Sequence, residues 1–159
     1  MARAEEARRA RIVASARGWL GTAYRHQASV KHVGCDCLGL LRGVWREVMG
    51  PEPMTVPPYP ADWAMQGQRE LLLAAAKAHL VLIKVDEARE GDVLLFRWRR
   101  HLPAMHCAVI STKGSLIHAH EGAAVCEVPL HGTWARRVSH AFAFPACGDF
   151  EHQNEGGQG

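Results

Sequence analysis

A chain of 159 residues suits one domain with a full core. Its composition, 48% apolar and 22% charged, is that of an ordinary globular protein, and no stretch approaches the ~18 apolar residues of a membrane span, so membrane insertion is not expected. The net charge of +3 is small and its Lys and Arg are scattered, which leaves no arm for nucleic acid and favours, at most, an anionic surface.

The segment Met1 to Arg17 is rich in Arg, Ala and Glu and lacks an apolar core, so it does not read as a secretory signal. Five cysteines, an odd number without framework spacing, point to reduced thiols and cytoplasmic synthesis. Glu5 to Leu20 is predicted as a helix with Ile12, Val13, Ala16, Trp19 and Leu20 on its apolar face and Gly21 as its stop. Tyr24 to Val33 reads as a loop. A second helix starts at Cys37, carries Leu38, Leu41, Val44, Trp45 and Val48 at helical spacing, and ends near Met49 before Gly50-Pro51. The proline-rich Glu52 to Pro60 is an extended connection. A third helix is predicted over Gln66 to Leu80, with Leu72, Leu73, Ala76 and Leu80 inward.

From there the period becomes that of strands: Val81–Val85, Val93–Phe96, Met105–Ile110, Ser115–Ala119, Ala124–Val128 and Ala141–Phe144, separated by tight turns such as Glu90-Gly91-Asp92. Helices first and short strands second is the α+β pattern, helices packed on an antiparallel sheet. Residues 1–150 are read as one domain, and the polar, glycine-rich 151–159 as a disordered tail.

Chemistry concentrates at Gly34-Cys35-Asp36-Cys37-Leu38-Gly39-Leu40. A thiol at a helix start meets unpaired N–H groups and the positive end of the macrodipole, both of which favour the nucleophilic thiolate. Alone, Cys37 is equally an ordinary buried cysteine. A cysteine nucleophile also needs a base and a group to orient that base. His106 begins an apolar strand and His118 sits in the next, joined by the Lys113-Gly114 turn, so their rings can meet on one face of a hairpin, one as base and the other fixing its tautomer. On pattern alone a given histidine on a strand is more often structural.

The order of these pieces resembles the NlpC family of papain-like cysteine peptidases, which cut peptidoglycan stem peptides. The matching residues are Gly21-Thr22-Ala23-Tyr24, Asp36-Cys37-Leu38-Gly39-Leu40, Gly91-Asp92-Val93-Leu94-Leu95-Phe96, His106-Cys107-Ala108-Val109-Ile110 and Ile117-His118-Ala119. Tyr24-Arg25-His26-Gln27, Gly34 to Leu40 and Arg42-Gly43-Val44-Trp45-Arg46-Glu47 are further similar to a subgroup encoded in the tail-gene clusters of phages and gene transfer agents.

The resemblance implies a papain-like NlpC-type domain with Cys37 as nucleophile, His106 as base and His118 orienting His106. Tyr24, with the Cys37 N–H, would face the oxyanion. Asp36 would help bind substrate, and His26, Gln27 and His120 are possible cleft-lining residues. Leu38 stands where the family has serine. In relatives that serine and the preceding Asp are associated with a free amino end, so Leu38 implies altered specificity. No cofactor is implied. The implied partners are peptidoglycan as substrate and the hub or tip proteins of a phage-like tail, which would carry the domain to the wall; Pro51 to Pro60 is a candidate contact, on surface away from the Cys37 cleft.

Two alternatives share the sequence. One is an N-acetylmuramoyl-L-alanine amidase or lysis enzyme with the same Cys–His chemistry. The other is a catalytically idle tail or wall-binding component. A zinc site built from Cys35, Cys37, His106, Cys107, His118, His120 and Cys126 has the wrong spacing, so no metal is expected. Cys35, Cys107, Cys126 and Cys147 read as packing residues, and Trp19, Trp45 and Trp63 as anchors.

Overall fold

A computed structural model of the chain describes residues 2–56, 58–59, 70–112 and 114–146. The first helix, α1 (Ala2–Arg17), is built from strong helix formers, and its Ile12, Val13 and Ala16 are buried. It ends earlier than the periodicity predicts. The chain leaves the helix at Gly18 and turns through Gly21 at φ +86°, so Trp19 is buried while Leu20, expected inward, is exposed. The expected loop contains a small hairpin, β1 (Ser29–Val30) and β2 (Gly34–Cys35), paired Ser29↔Cys35.

The helix α2 (Cys37–Val48) follows at once, with Met49 as its C-cap. Its buried set is Gly39, Leu40, Gly43, Val44 and Trp45, whereas Leu38, Leu41 and Val48 are only partly buried. Two glycines set its depth. A Cβ on Gly43 would lie 1.9 Å from the Trp19 ring, and one on Gly39 would lie 1.8 Å from the Ala28 carbonyl oxygen. Both are positions where only hydrogen fits, so α1 and the hairpin close directly onto α2. A shorter third helix, α3 (Leu71–His79), buries Leu72, Leu73 and Ala76 as expected; the predicted start at Gln66 lies outside the described residues, as do Trp63, Cys147 and the tail 151–159.

Six strands follow: β3 (Val81–Ile83), β4 (Val93–Phe96), β5 (His106–Ile110), β6 (Ser115–His118), β7 (Cys126–Pro129) and β8 (Val138–Ala143). They form one antiparallel sheet in the order β3-β8-β4-β5-β6-β7. This is the α+β arrangement that the sequence predicts. The expected strand to Val85 ends at Ile83, because Val85–Glu87 turns as a 3-10 helix.

The strands β4 and β5 are buried throughout, without alternation, because both faces of the sheet are covered. On one face Val93, Leu95, Cys107 and Phe142 pack with Ile12, Trp19 and Val44. On the other, Leu94, Phe96, Ala108 and Leu116 pack against Trp134 and Val138. Trp134 comes from α4 (Gly132–Arg137), which sequence periodicity does not reveal. The Gly91-Asp92 turn is a tie between layers. Gly91 adopts φ +86° with the backbone of Arg9 against it, and buried Asp92 accepts from Arg9 Nη1 at 2.7 Å and from the Arg89 N–H at 2.9 Å. Among the described residues no helix is long and apolar enough to cross a membrane.

Candidate active site

The site lies where the start of α2 meets the start of β5. Asp36 is the N-cap of α2, 3% exposed, and its Oδ1 accepts the Gly39 N–H at 2.7 Å. Its Oδ2 accepts the Gln27 N–H at 2.8 Å and the Tyr59 hydroxyl. These bonds fix the first turn, and so the direction in which Cys37 leaves it. Ser29 Oγ donates to the Gly39 carbonyl at 2.6 Å and adds a second tie.

Cys37 is half-buried, with Sγ 4.0 Å from the Met105 carbonyl oxygen. Its proton affinity falls well below the ordinary thiol value. Cys107, whose Sγ lies 3.3 Å from the Cys37 carbonyl oxygen, lowers it most by hydrogen bonding to the thiolate; the His106 ring adds a hydrogen bond and its charge. These outweigh the burial that opposes them. Cys107 moves the other way, well above its ordinary value, because the bond to Cys37 and burial both hold its proton. Burial likewise pushes the Cys35 thiol up to about 12. One thiol of the three is therefore primed as thiolate, and Cys107, expected only to pack, both packs and donates to it.

His106 and His118 are each 3% exposed, and His106 Nε2 lies 2.8 Å from His118 Nδ1. The pairing Val109↔Ile117 and Ile110↔Leu116, carried on toward the strand ends, places His118 opposite Ala108, so the two histidines are diagonal neighbours on one face. Burial, and then the charges of His106 and His120, push His118 down to about 3. A neutral His118 can accept through Nδ1; in that tautomer His106 Nε2 carries the shared proton, and Nδ1 of His106 is the nitrogen left for the thiol. Among the described residues, no three His, Cys, Asp or Glu side chains converge as a metal ion would need.

An aromatic enclosure surrounds this pair. Trp98 stacks on His106 at 5.7 Å between centroids and 23° between planes, Trp134 lies 5.3 Å from His106 and 4.8 Å from His118, and Phe96 is 5.6 Å from His106. His120 stacks on His118 at 5.8 Å and 3°, and lies 5.7 Å from His106. Trp98 and Trp134 are the site residues that sequence reasoning misses. Trp98 sits in the loop after β4, held where the Arg97 N–H donates to the Arg137 carbonyl at 2.9 Å. The one available signal is a tryptophan on each side of the His106 strand in sequence, and nothing in that spacing predicts contact.

Tyr24 bridges to Cys35 beside the thiol, and burial first, then the Cys37 and Asp36 charges, raise it to about 12, so it keeps its proton. His26 and Gln27 do stand at the site, but both are engaged by Tyr59: His26 Nε2 is 2.6 Å from the Tyr59 carbonyl, which Gln27 Nε2 also contacts. The described part of the Pro51–Pro60 segment thus leans on the site, and Glu52 pairs with Arg42 and Arg46 of α2. That corrects the expectation that this segment offers surface away from the cleft. Leu38 lines an apolar hollow of about 490 Å³ with Trp45, Tyr59, Leu72 and Leu80.

A helix-borne thiol facing a histidine on an antiparallel sheet defines a papain-like α+β domain. More particularly, the chain belongs to the NlpC/P60 family, whose model matches residues 21–143. A crystal structure of an NlpC/P60 family protein from Bacillus cereus is similar over 86% of this chain and 40% of that one, at 17% identity and TM-score 0.62. The NlpC/p60 domain of the peptidoglycan hydrolase SagA is similar over 86% of this chain and 98% of that one, at 22% identity and TM-score 0.59. The peptidoglycan hydrolase RipB from Mycobacterium tuberculosis is similar over 86% and 64%, at 16% identity and TM-score 0.57. The chain therefore spans about two fifths of the length of the Bacillus cereus protein. A search of curated proteins finds no match.

Proposed function

We propose that the protein is a cysteine peptidase that hydrolyses peptidoglycan stem peptides, at a bond of the γ-D-glutamyl–diaminopimelate type. The observation that carries the reading is the Cys37–His106–His118 line: a thiol held well below its ordinary proton affinity, against a histidine whose far nitrogen lies 2.8 Å from a neutral His118. Two of the similar structures are described as peptidoglycan hydrolases.

In the first step the Cys37 thiolate attacks the peptide carbonyl. The negative charge that develops on oxygen faces the Cys37 N–H, which has no acceptor within its helix, and the protonated Tyr24 hydroxyl. His106, which holds at Nδ1 the proton taken from the Cys37 thiol, gives it to the leaving amine, and the C–N bond breaks. Water then attacks the thioester, His106 takes its proton, and Cys37 leaves again as thiolate. His118 keeps the His106 ring in the right tautomer throughout. Mass spectrometry of digested peptidoglycan tests this: new ends within the stem peptide support it, a cut at the muramoyl link points to the amidase, and intact wall to an idle component.

Carriage on a phage-like or gene transfer agent tail, with hub or tip proteins as partners, is proposed on the similarity of Tyr24–Gln27, Gly34–Leu40 and Arg42–Glu47 to that subgroup. Tethering there would supply a high effective concentration at the wall. Purified particles should contain a few copies; protein found only free in lysates would contradict it.

A further inference from the structure

We propose that the arginine-lined cleft beside Trp98 binds a free carboxylate on the leaving half of the peptide substrate; this rests on the peptidase reading above. The cleft, of about 880 Å³, lies between the loop after β4 and the end of α4, and its walls carry Arg97, Arg99, Arg100, Arg136 and Arg137. Arg97 is already engaged, paired with Glu70 and donating to the Leu102 carbonyl at 2.7 Å. Among the described residues the arginines with carboxylate partners are Arg9, Arg17, Arg42, Arg46, Arg89 and Arg97. The other four that line the cleft have none. Arg136 reaches only the Thr133 hydroxyl, at 3.4 Å, and Arg137 lies over the Trp98 ring, 5.0 Å from its centroid.

Four guanidinium groups around one cleft repel each other. An anion supplied from outside relieves that repulsion, and the planar fork of a guanidinium fits a carboxylate in two parallel bonds. Position selects which anion. Trp98 is the shared wall: it lines the cleft and stacks on His106. His106 protonates the leaving amine, so the leaving half of the substrate departs on the imidazole side, while the acyl half lies across the thiol toward Tyr24 and Asp36. A peptide advances ~3.3–3.6 Å per residue, so one or two residues beyond the cut bond cross the Trp98 ring and bring a terminal carboxylate among the arginines.

The test uses the full chain and two synthetic stem peptides that differ only at the end of the leaving half, one a free acid and one an amide. The parent should show a KM for the acid about tenfold below that for the amide, with similar kcat. In the double variant Arg99→Ala, Arg136→Ala, at exposed positions where folding is little at risk, that preference should fall to within about twofold. Equal KM values in the parent, or a preference that survives the double variant, would overturn the inference and leave the peptidase reading standing. A KM rise equal for both peptides would also overturn it, showing general attraction rather than a carboxylate subsite. Cleavage of neither peptide by the parent would remove the peptidase reading, and this inference with it.

Discussion

On the thiol side of the cleft, position comes from the backbone. Asp36 caps α2, Gly39 sits against the Ala28 carbonyl, and the ties from Gln27 and Ser29 leave Cys37 one way to point. On the histidine side, position comes from packing. His106 and His118 share one direct bond, and four rings, those of Phe96, Trp98, His120 and Trp134, fill the space around them. Hydrogen bonds to a cap are directional and short-range, so the thiol side is specified by a few adjacent residues. Ring packing is nearly isotropic and draws on β4, β5, β6 and α4 at once. The same site therefore tolerates different damage on its two sides.

The largest effects fall on the reacting groups. Cys37→Ala should abolish peptide hydrolysis while the protein stays folded, because only a half-buried sulfur is lost; a folded variant cutting at the parent rate would break the account. Cys35→Ala should keep most activity. His106→Ala should lose about 10³-fold or more in kcat/KM, and His118→Ala should lose less, since it acts through His106. The reverse ranking would reject the assigned roles.

A smaller effect sharpens the contrast between the two sides. Trp134→Ala removes a ring in contact with both histidines and should lower kcat about 10- to 100-fold, with KM nearly unchanged. On the thiol side, Gly39→Ala would place a methyl within 1.8 Å of a carbonyl oxygen and should cost ~1–3 kcal/mol in denaturant unfolding, as overpacked sites do. If Gly39→Ala were neutral and Trp134→Ala harmless to kcat, the distinction between the two sides would collapse.

How much of this was legible in the sequence follows the same division. The capped thiol is written in consecutive residues, Asp36-Cys37-Leu38-Gly39, and the Gly91-Asp92 turn is equally local, so both can be read from type and spacing. The strands from Val93 to His118 show as apolar runs between turns. The enclosure does not show. Helix α4 has six residues and a single tryptophan, too few for a helical period, and Trp98 lies in a loop whose place is set by a bond to Arg137. Leu20 went outward because the helix stopped one turn early, at a glycine where apolar spacing continues. The partners of His26 and Gln27 were equally hidden, since Tyr59 reaches them across more than thirty residues.

The last effect falls on stability and concerns pH. His118 is held down to about 3 by burial, against about 6.5 in the unfolded chain. Below pH 6.5 the unfolded state therefore binds more protons than the folded one, and stability falls as pH falls from 6.5 toward 3. His118→Gln, which cannot take up that proton, should flatten this part of the profile in thermal unfolding. An identical slope in parent and variant would show that His118 is not the buried neutral group described.

The central claim is that Cys37 is a thiolate stabilised by Cys107 and His106 at neutral pH. Iodoacetamide alkylation followed across pH, with each cysteine resolved by peptide mass spectrometry, measures it directly. Cys37 should be modified with a midpoint well below the ordinary thiol value, far ahead of Cys35, and the midpoint should rise in His106→Ala. A Cys37 that titrates near pH 9 in the parent, unmoved by His106→Ala, would contradict the account.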